Sequence, residues 1–419
     1  MALLKNHKIK MTESPQHRMG HPSPLIFHLG AAVAGYQSAI ANASNPDTAD
    51  FTWQPELIEQ ASSIGDLSAP ALHRAAIARI RAMLSGLEKW QAHPYKRAVT
   101  DPPVIWSEGS SRLLDYGHCP EATNPNGPPI LVVPSLINRA YILDLNENCS
   151  LLRYLAAQGL RPLLLDWGIP SDTEREFSLN TYTTQRLLPA LAVSNGLTNK
   201  PVGVLGYCMG GTLAAGVLSL RNTDVGAFAT IGSPWNFDAS KGVTASLRSV
   251  ATKSQATEMI ENIGHVFGMI PTELFQQLFA LINPMQAAVK FRKLDNMDLN
   301  SPAANHFVAI EDWLADGVPL ALPSAKDVLI DWNLNNATAA GSWKLRETPV
   351  DLSRLQQPTL HVCGLRDSIT QLDVAAAMAK EIPNAKLLTP DAGHVGMIVG
   401  SKARETVWKP VSDFFTGNL

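Results

Sequence analysis

Gly206-Tyr207-Cys208-Met209-Gly210-Gly211 follows the apolar run Pro201-Val202-Gly203-Val204-Leu205 and precedes the small-residue run Thr212-Leu213-Ala214-Ala215. That order reads as a buried strand, a tight turn and a helix, with Cys208 at the tip of the turn. The spacing is that of a G-x-S-x-G nucleophile elbow with cysteine in the serine position. A residue at such a tip holds a strained backbone, so its neighbours two before and two after must be small, as Gly206 and Gly210 are. The helix starting near Met209 aims backbone N–H groups and the positive end of its dipole at the sulfur, which favours thiolate. The bland alternative is a buried structural cysteine between two unrelated glycines.

The flanking sequence supplies the rest of a sheet. Val104-Ile105-Trp106 and Arg112-Leu113-Leu114-Asp115-Tyr116 read as two hairpin strands turning near Gly109. The continuous apolar runs Ile130-Leu131-Val132-Val133 and Pro162-Leu163-Leu164-Leu165 are separated by a helical stretch from about Cys149 to Gln158. Strand, helix and strand in alternation predict a parallel sheet covered by helices, whose buried strands are apolar throughout. The elbow strand, the run 226–232, Pro358-Thr359-Leu360-His361-Val362-Cys363-Gly364 and Ala385-Lys386-Leu387-Leu388 continue the sheet. Between about Trp235 and residue 350 the rhythm stops, and helical patches at 259–267, 274–282 and 325–334 alternate with prolines. An insertion of that length after a core strand suggests a cap over the elbow. The expected organisation is a loose leader over 1–25 and a helical N-terminal extension over 26–103. The core follows in two parts, 104–235 and 351–419, with the cap over 236–350 between them.

A cysteine nucleophile needs a base and an acid. Leu365-Arg366-Asp367 follows the strand at 358–364, and Asp391-Ala392-Gly393-His394 follows the last strand. Nucleophile, acid and histidine in that chain order, each in a loop after a strand, predict an α/β-hydrolase fold with a Cys208, His394 and Asp367 triad. In such a triad His394 takes the thiol proton, or holds the thiolate as an ion pair, and Asp367 fixes the imidazole. The oxyanion needs two N–H donors. One is expected at Met209 and the other in the loop after the first long strand, at Leu136 or Ile137.

Composition narrows the alternatives. In 419 residues, 45% hydrophobic and 17% charged content describe a folded globular chain. A net charge of −3 without a Lys/Arg block argues against a nucleic-acid partner. No secretory signal is read at the N-terminus, and the apolar stretch at 29–43 falls short of the about 20 residues a membrane span needs. A cytoplasmic location is expected. The four cysteines form no C-x-x-C pair, so neither a zinc site nor a disulfide framework is expected. No metal or cofactor is anticipated, and no substrate-binding residue is singled out. Trp167, Trp235 and Trp313 read as packing residues or as the lining of a substrate channel.

Several motifs resemble the polyhydroxyalkanoate synthases. The elbow is similar to that family's cysteine lipase box, and Val133-Pro134-Ser135-Leu136-Ile137-Asn138-Arg139-Ala140-Tyr141-Ile142-Leu143-Asp144-Leu145 to its strand-loop-helix passage. Leu165-Asp166-Trp167-Gly168-Ile169-Pro170 resembles the Asp-Trp-Gly-x-Pro turn of the shorter, two-subunit synthases. Gly393-His394-Val395-Gly396-Met397 resembles their Gly-His-Ile-Gly, and Asp312-Trp313 with Asp316 resembles a Trp segment of their cap. The resemblance implies an acyltransferase polymerising (R)-3-hydroxyacyl-coenzyme A, with coenzyme A part of the substrate and a product. It implies that Cys208 carries the growing acyl chain, that His394 activates it, and that Asp367 helps activate the monomer's 3-hydroxyl. It also implies the growing polyester as a partner, a homodimer or a second synthase subunit, and a place at the surface of polyester granules. A cysteine thioesterase or polyester hydrolase, and a non-enzymatic granule-associated relative, remain open alternatives on the residues alone.

Overall fold

The computed structural model describes residues 25–44, 68–221, 225–250 and 252–419. The expected leader, 1–25, lies outside the described residues except for Leu25. The chain divides into two compact units, one of Arg97–Ile282 with Asp316–Leu419, the other of the described residues up to Lys96 with Asn283–Ala315.

The larger unit is built on an eight-stranded sheet. Its strands are β1 (Val104–Glu108), β2 (Ser111–Asp115), β3 (Pro129–Val133), β4 (Arg161–Asp166), β5 (Val202–Tyr207), β6 (Val225–Ile231), β7 (Thr359–Val362) and β8 (Ala385–Leu388). They lie in the order β1-β2-β4-β3-β5-β6-β7-β8. β1, β2 and β4 pair antiparallel, and every pairing from β4 to β8 is parallel. Each residue of β3 and β5 is buried, as continuous apolar strands inside a covered parallel sheet must be. Leu131 and Val204 share a core with Leu213 and Val217 of the helix that follows the elbow. The chain leaves β3 for a neighbour on one side, β4, and then crosses to the other side to form β5. This reversal sets the loops after β3 and β5 side by side at the carboxyl ends of the strands, where open α/β sheets place their ligands.

The expected hairpin and core strands, and helices within the 236–350 insertion, are present with shifted ends. The helix predicted from Cys149 begins at Leu151, because Cys149–Ser150 pairs with Asp144–Asn146 as a short hairpin and the Ser150 hydroxyl caps the helix by accepting from the Arg153 N–H. Helices of the insertion run over Lys253–Phe267, Thr272–Ile282 and Leu322–Lys326, the last continuing as a π-helical segment, Asp327–Leu334. Within the insertion Ile270 bridges to Leu320, and Gly317 bridges to Asn138 in the loop after β3.

The smaller unit joins helix Ala69–Ala92 to helices Gln286–Asp295 and Pro302–Ala315 around Met83, Leu87, Trp90, Phe291, Leu294 and Val308. Gly86 permits the close crossing, since a methyl group there would lie 1.9 Å from the Phe291 carbonyl oxygen. Ser85 and Lys89 both donate to Asp295, at 2.7 Å each. Residues 283–315 lie within the insertion expected over 236–350, yet they cluster with the N-terminal helices and not with the rest of that insertion. Among the described residues no helix is long and apolar enough to cross a membrane, and no group of His, Cys, Asp or Glu could hold a metal ion.

Candidate active site

The elbow has the strained turn its spacing predicts. Cys208 has φ +54°, in the left-handed region where non-glycine residues are rare. Its N–H donates to the Ile231 carbonyl of neighbouring β6 at 2.9 Å, and its carbonyl accepts from Gly211 at 3.0 Å. The flanking glycines are sterically required. A methyl group on Gly206 would lie 2.1 Å from the Gly211 Cα, and one on Gly210 would lie 2.1 Å from the Val133 carbonyl oxygen. Helix Met209–Leu220 starts directly after the cysteine, so the Met209 and Gly210 N–H groups, ahead of the Gly211 bond, have no carbonyl a turn earlier in the helix to meet.

Asp367 and His394 come together as their loops predict. The loop after β7 and the loop after β8 are laced by backbone bonds from Leu365 to Pro390 (2.9 Å) and from Arg366 to Ala392 (3.1 Å). Gly364 lets them approach, a methyl group there falling 2.4 Å from the Ala392 carbonyl oxygen. Asp367 Oδ2 lies 2.7 Å from His394 Nδ1, while Oδ1 accepts the N–H groups of Ile369 (2.9 Å) and Thr370 (2.8 Å). The carboxylate is thus oriented by its own loop and presents its second oxygen to the imidazole. Burial alone would push His394 down. The charge on Cys208, then the charge on Asp367, and hydrogen bonds to both outweigh it, holding the imidazole well above the ordinary histidine range. Cys208 is half-buried, whereas Asp367 and His394 are buried. His361, on β7, is a contrast: among the described residues its hydrogen-bond partner is Thr230 (2.7 Å), and burial pushes it down to about 3.

Two neighbours of His394 are not evident from sequence. The Tyr207 ring lies 5.4 Å from the imidazole, tilted by 31°, and a methyl group on Gly232, which has φ +60°, would crowd Cε1 at 3.0 Å. Gly232 directly follows β6 in Ile231-Gly232-Ser233-Pro234, and a glycine just past a buried strand beside the elbow was the available signal. The two candidate donors in the loop after β3 also separate. The Ile137 N–H donates to the Ser135 hydroxyl (3.2 Å) and its carbonyl accepts from Val318 (3.3 Å). The Leu136 N–H meets no acceptor among the described residues. Trp167, Trp235 and Trp313 are buried.

Residues 128–401 match the model of the alpha/beta hydrolase fold, and residues 95–155 match that of the poly-beta-hydroxybutyrate polymerase (PhaC) N-terminus. The chain is 29% identical over 320 residues to the poly(3-hydroxyalkanoate) polymerase subunit PhaC of Haloferax mediterranei, covering 75% of this chain and 64% of that protein. Less than two thirds of that relative's length is therefore spanned. A protein of the same name from Haloarcula marismortui is 26% identical over 388 residues, 90% of this chain and 77% of its own. A third, from Synechocystis, is 26% identical over 77% of this chain and 86% of its own. With a match that spans well over half its length, the chain belongs to the alpha/beta hydrolase fold family.

Proposed function

We propose that the chain is a polyhydroxyalkanoate synthase that polymerises (R)-3-hydroxyacyl groups through a thioester on Cys208. The observation that carries this reading is a cysteine, not a serine, at an elbow whose imidazole is paired with it and with Asp367. Similarity to relatives named polymerase supports it. A thiolate exchanges with a thioester at little cost, and passing the acyl group to a hydroxyl to form an oxygen ester is downhill.

The Cys208 sulfur attacks the thioester carbonyl, and the oxyanion is met by the N–H groups of Met209 and Leu136, the donor left after Ile137 is bonded to Ser135. The C–S bond to coenzyme A breaks, and the departing thiolate takes the proton from His394. Acylation removes the sulfur's charge, the first of the influences raising that imidazole. Burial then favours the neutral ring, which is poised as base for the next step. A hydroxyl at the chain end attacks the acyl-enzyme, His394 takes its proton, and the Cys208 thiolate leaves. Asp367 orients the ring throughout and helps activate the hydroxyl. Coenzyme A enters as part of the substrate and leaves as product.

Incubation of the purified protein with (R)-3-hydroxybutyryl-coenzyme A is expected to release thiol, and intact-mass spectrometry to reveal a ladder of acyl units on Cys208. A single transient adduct with monomeric acid released would select a hydrolase. Absence of any adduct, with unaltered thiol release in C208A, would remove the cysteine from the chemistry.

A further inference from the structure

Trp167 stands at the end of β4 in the turn Asp166-Trp167-Gly168, and its indole N–H donates to the Pro134 carbonyl oxygen at 3.0 Å. Both residues are buried. Pro134 opens the loop after β3, two residues before Leu136. A trans peptide sets the Pro134 carbonyl opposite the Ser135 N–H, so fixing the carbonyl fixes the plane from which the loop departs. The Ser135 hydroxyl then takes up the Ile137 N–H, leaving that of Leu136 unspent.

The same carbonyl lies against the start of the elbow helix. A methyl group on Gly210 would be 2.4 Å from the Pro134 oxygen. Without an indole donor this buried acceptor would be unsatisfied, and the open N–H groups at the helix start belong to the stretch of backbone that Gly210 brings against it. Rotation toward them would consume the groups the oxyanion needs.

Trp167 is itself held in place. Its carbonyl accepts from the hydroxyls of Ser110 (2.9 Å) and Ser111 (3.4 Å), and its ring meets Tyr182 edge-on at 5.8 Å. Gly168, at φ +71°, packs so closely that a methyl group there would fall 2.2 Å from the Ser110 carbonyl oxygen. Ser110 is fixed in turn by its N–H bond to the buried Glu174 carboxylate (3.0 Å), which also pairs with Arg186 (2.9 Å).

We propose that Trp167 is a positioning residue of the oxyanion hole, its indole N–H occupying the Pro134 carbonyl so that the N–H groups of Leu136 and the elbow helix remain free for the reacting oxygen. This rests on the reading of Cys208 as an acyl-accepting nucleophile. The substitution W167F keeps the aromatic packing and deletes the donor.

Two reactions of Cys208 separate positioning from general damage. Acylation by p-nitrophenyl butyrate or (R)-3-hydroxybutyryl-coenzyme A builds an oxyanion, whereas alkylation by iodoacetamide displaces iodide at carbon and builds none. W167F is expected to slow single-turnover acylation about 10- to 100-fold, within the range for a displaced donor or a misplaced site, with alkylation and its pH profile at the wild-type rate. The acyl-enzyme carbonyl stretch should move to higher frequency, reporting weaker hydrogen bonding. Equal slowing of both reactions, or acylation at the wild-type rate, would overturn the proposal. Wild-type protein that acylates with neither substrate would overturn the nucleophile reading itself and this proposal with it. Where W167F gives no folded protein, S110A decides: acylation lowered about threefold at unchanged alkylation supports the strut, and unchanged acylation refutes it.

Discussion

Burial pulls the His394 imidazole toward its neutral form, and the charge on Cys208 is the first influence set against it, followed by that of Asp367. The proton on His394 is therefore a report on the state of the sulfur. In C208A that charge is gone while burial and the 2.7 Å contact with Asp367 remain, so His394 is expected to titrate below its wild-type position. Histidine Cε1–H resonances followed against pH, with H394Q to assign the signal, measure this directly. An unchanged or higher titration in C208A would mean that the pair does not share charge. The sign carries over to activity. A folded-state value raised above the ordinary about 6.5 keeps the His394 imidazole charged through neutral pH, and that charge is lost as pH rises through the raised value. D367N removes one of the raising charges, so the alkaline limb of Cys208 acylation should move to lower pH and the maximal rate should fall about 100-fold, a typical share for an oriented acid–base group.

At the scale of elements, the elbow depends on backbone passing backbone. The clash that a side chain at Gly210 would meet is with the Val133 and Pro134 carbonyl oxygens, backbone atoms that can give way only by moving the loop itself. G210A should cost about 1–3 kcal/mol by overpacking and displace the helix start from the loop after β3. Thermal unfolding and acylation rate should fall together. G196A is the control: nothing lies within 4 Å of its added methyl group at the end of helix Leu188–Gly196, so its stability should match or slightly exceed wild type. These glycines also mark what was legible beforehand. The spacing of Gly206, Cys208 and Gly210, the apolar runs of β3 to β6 and the order of Asp367 and His394 are local patterns, and all were readable. The stretch Leu179–Gly196 was not anticipated, because a π-helical segment, Thr183–Leu187, breaks the 3.6-residue period and Pro189 reads as a breaker although it sits in the first turn of the helix that follows. That the Ile137 N–H is engaged depends on the Ser135 hydroxyl turning toward it, which no spacing encodes. The Tyr207 and Gly232 contacts with His394 depend on folding across the sheet, which no local pattern encodes.

At the scale of the whole chain, the N-terminal helices and residues 283–315 are far apart in sequence and complete one core. Trp90 packs on Phe291 with ring centroids 5.8 Å apart and donates its indole N–H to Asp312 at 2.9 Å, and His93 Nε2 lies 2.8 Å from the Leu299 carbonyl oxygen. Phe291, Leu294 and Val308 are fully buried there, so they have no covering of their own once helix Ala69–Ala92 is removed. Burying one such side chain is worth about 1.5–3 kcal/mol, and several are involved. A chain beginning at Arg97 should therefore keep the sheet and triad residues while exposing an apolar face on 283–315. The expected signs are strong binding of 8-anilinonaphthalene-1-sulfonate, rapid proteolysis within 283–315 and aggregation, with Cys208 still reacting with iodoacetamide in the soluble fraction. A truncated chain that resists protease at 283–315 and binds no more dye than the full chain would show that this segment finds its cover elsewhere. W90A tests the same core within the intact chain: it should cost about 3–5 kcal/mol, the range for emptying a buried tryptophan site, and bring the same cleavage at lower temperature.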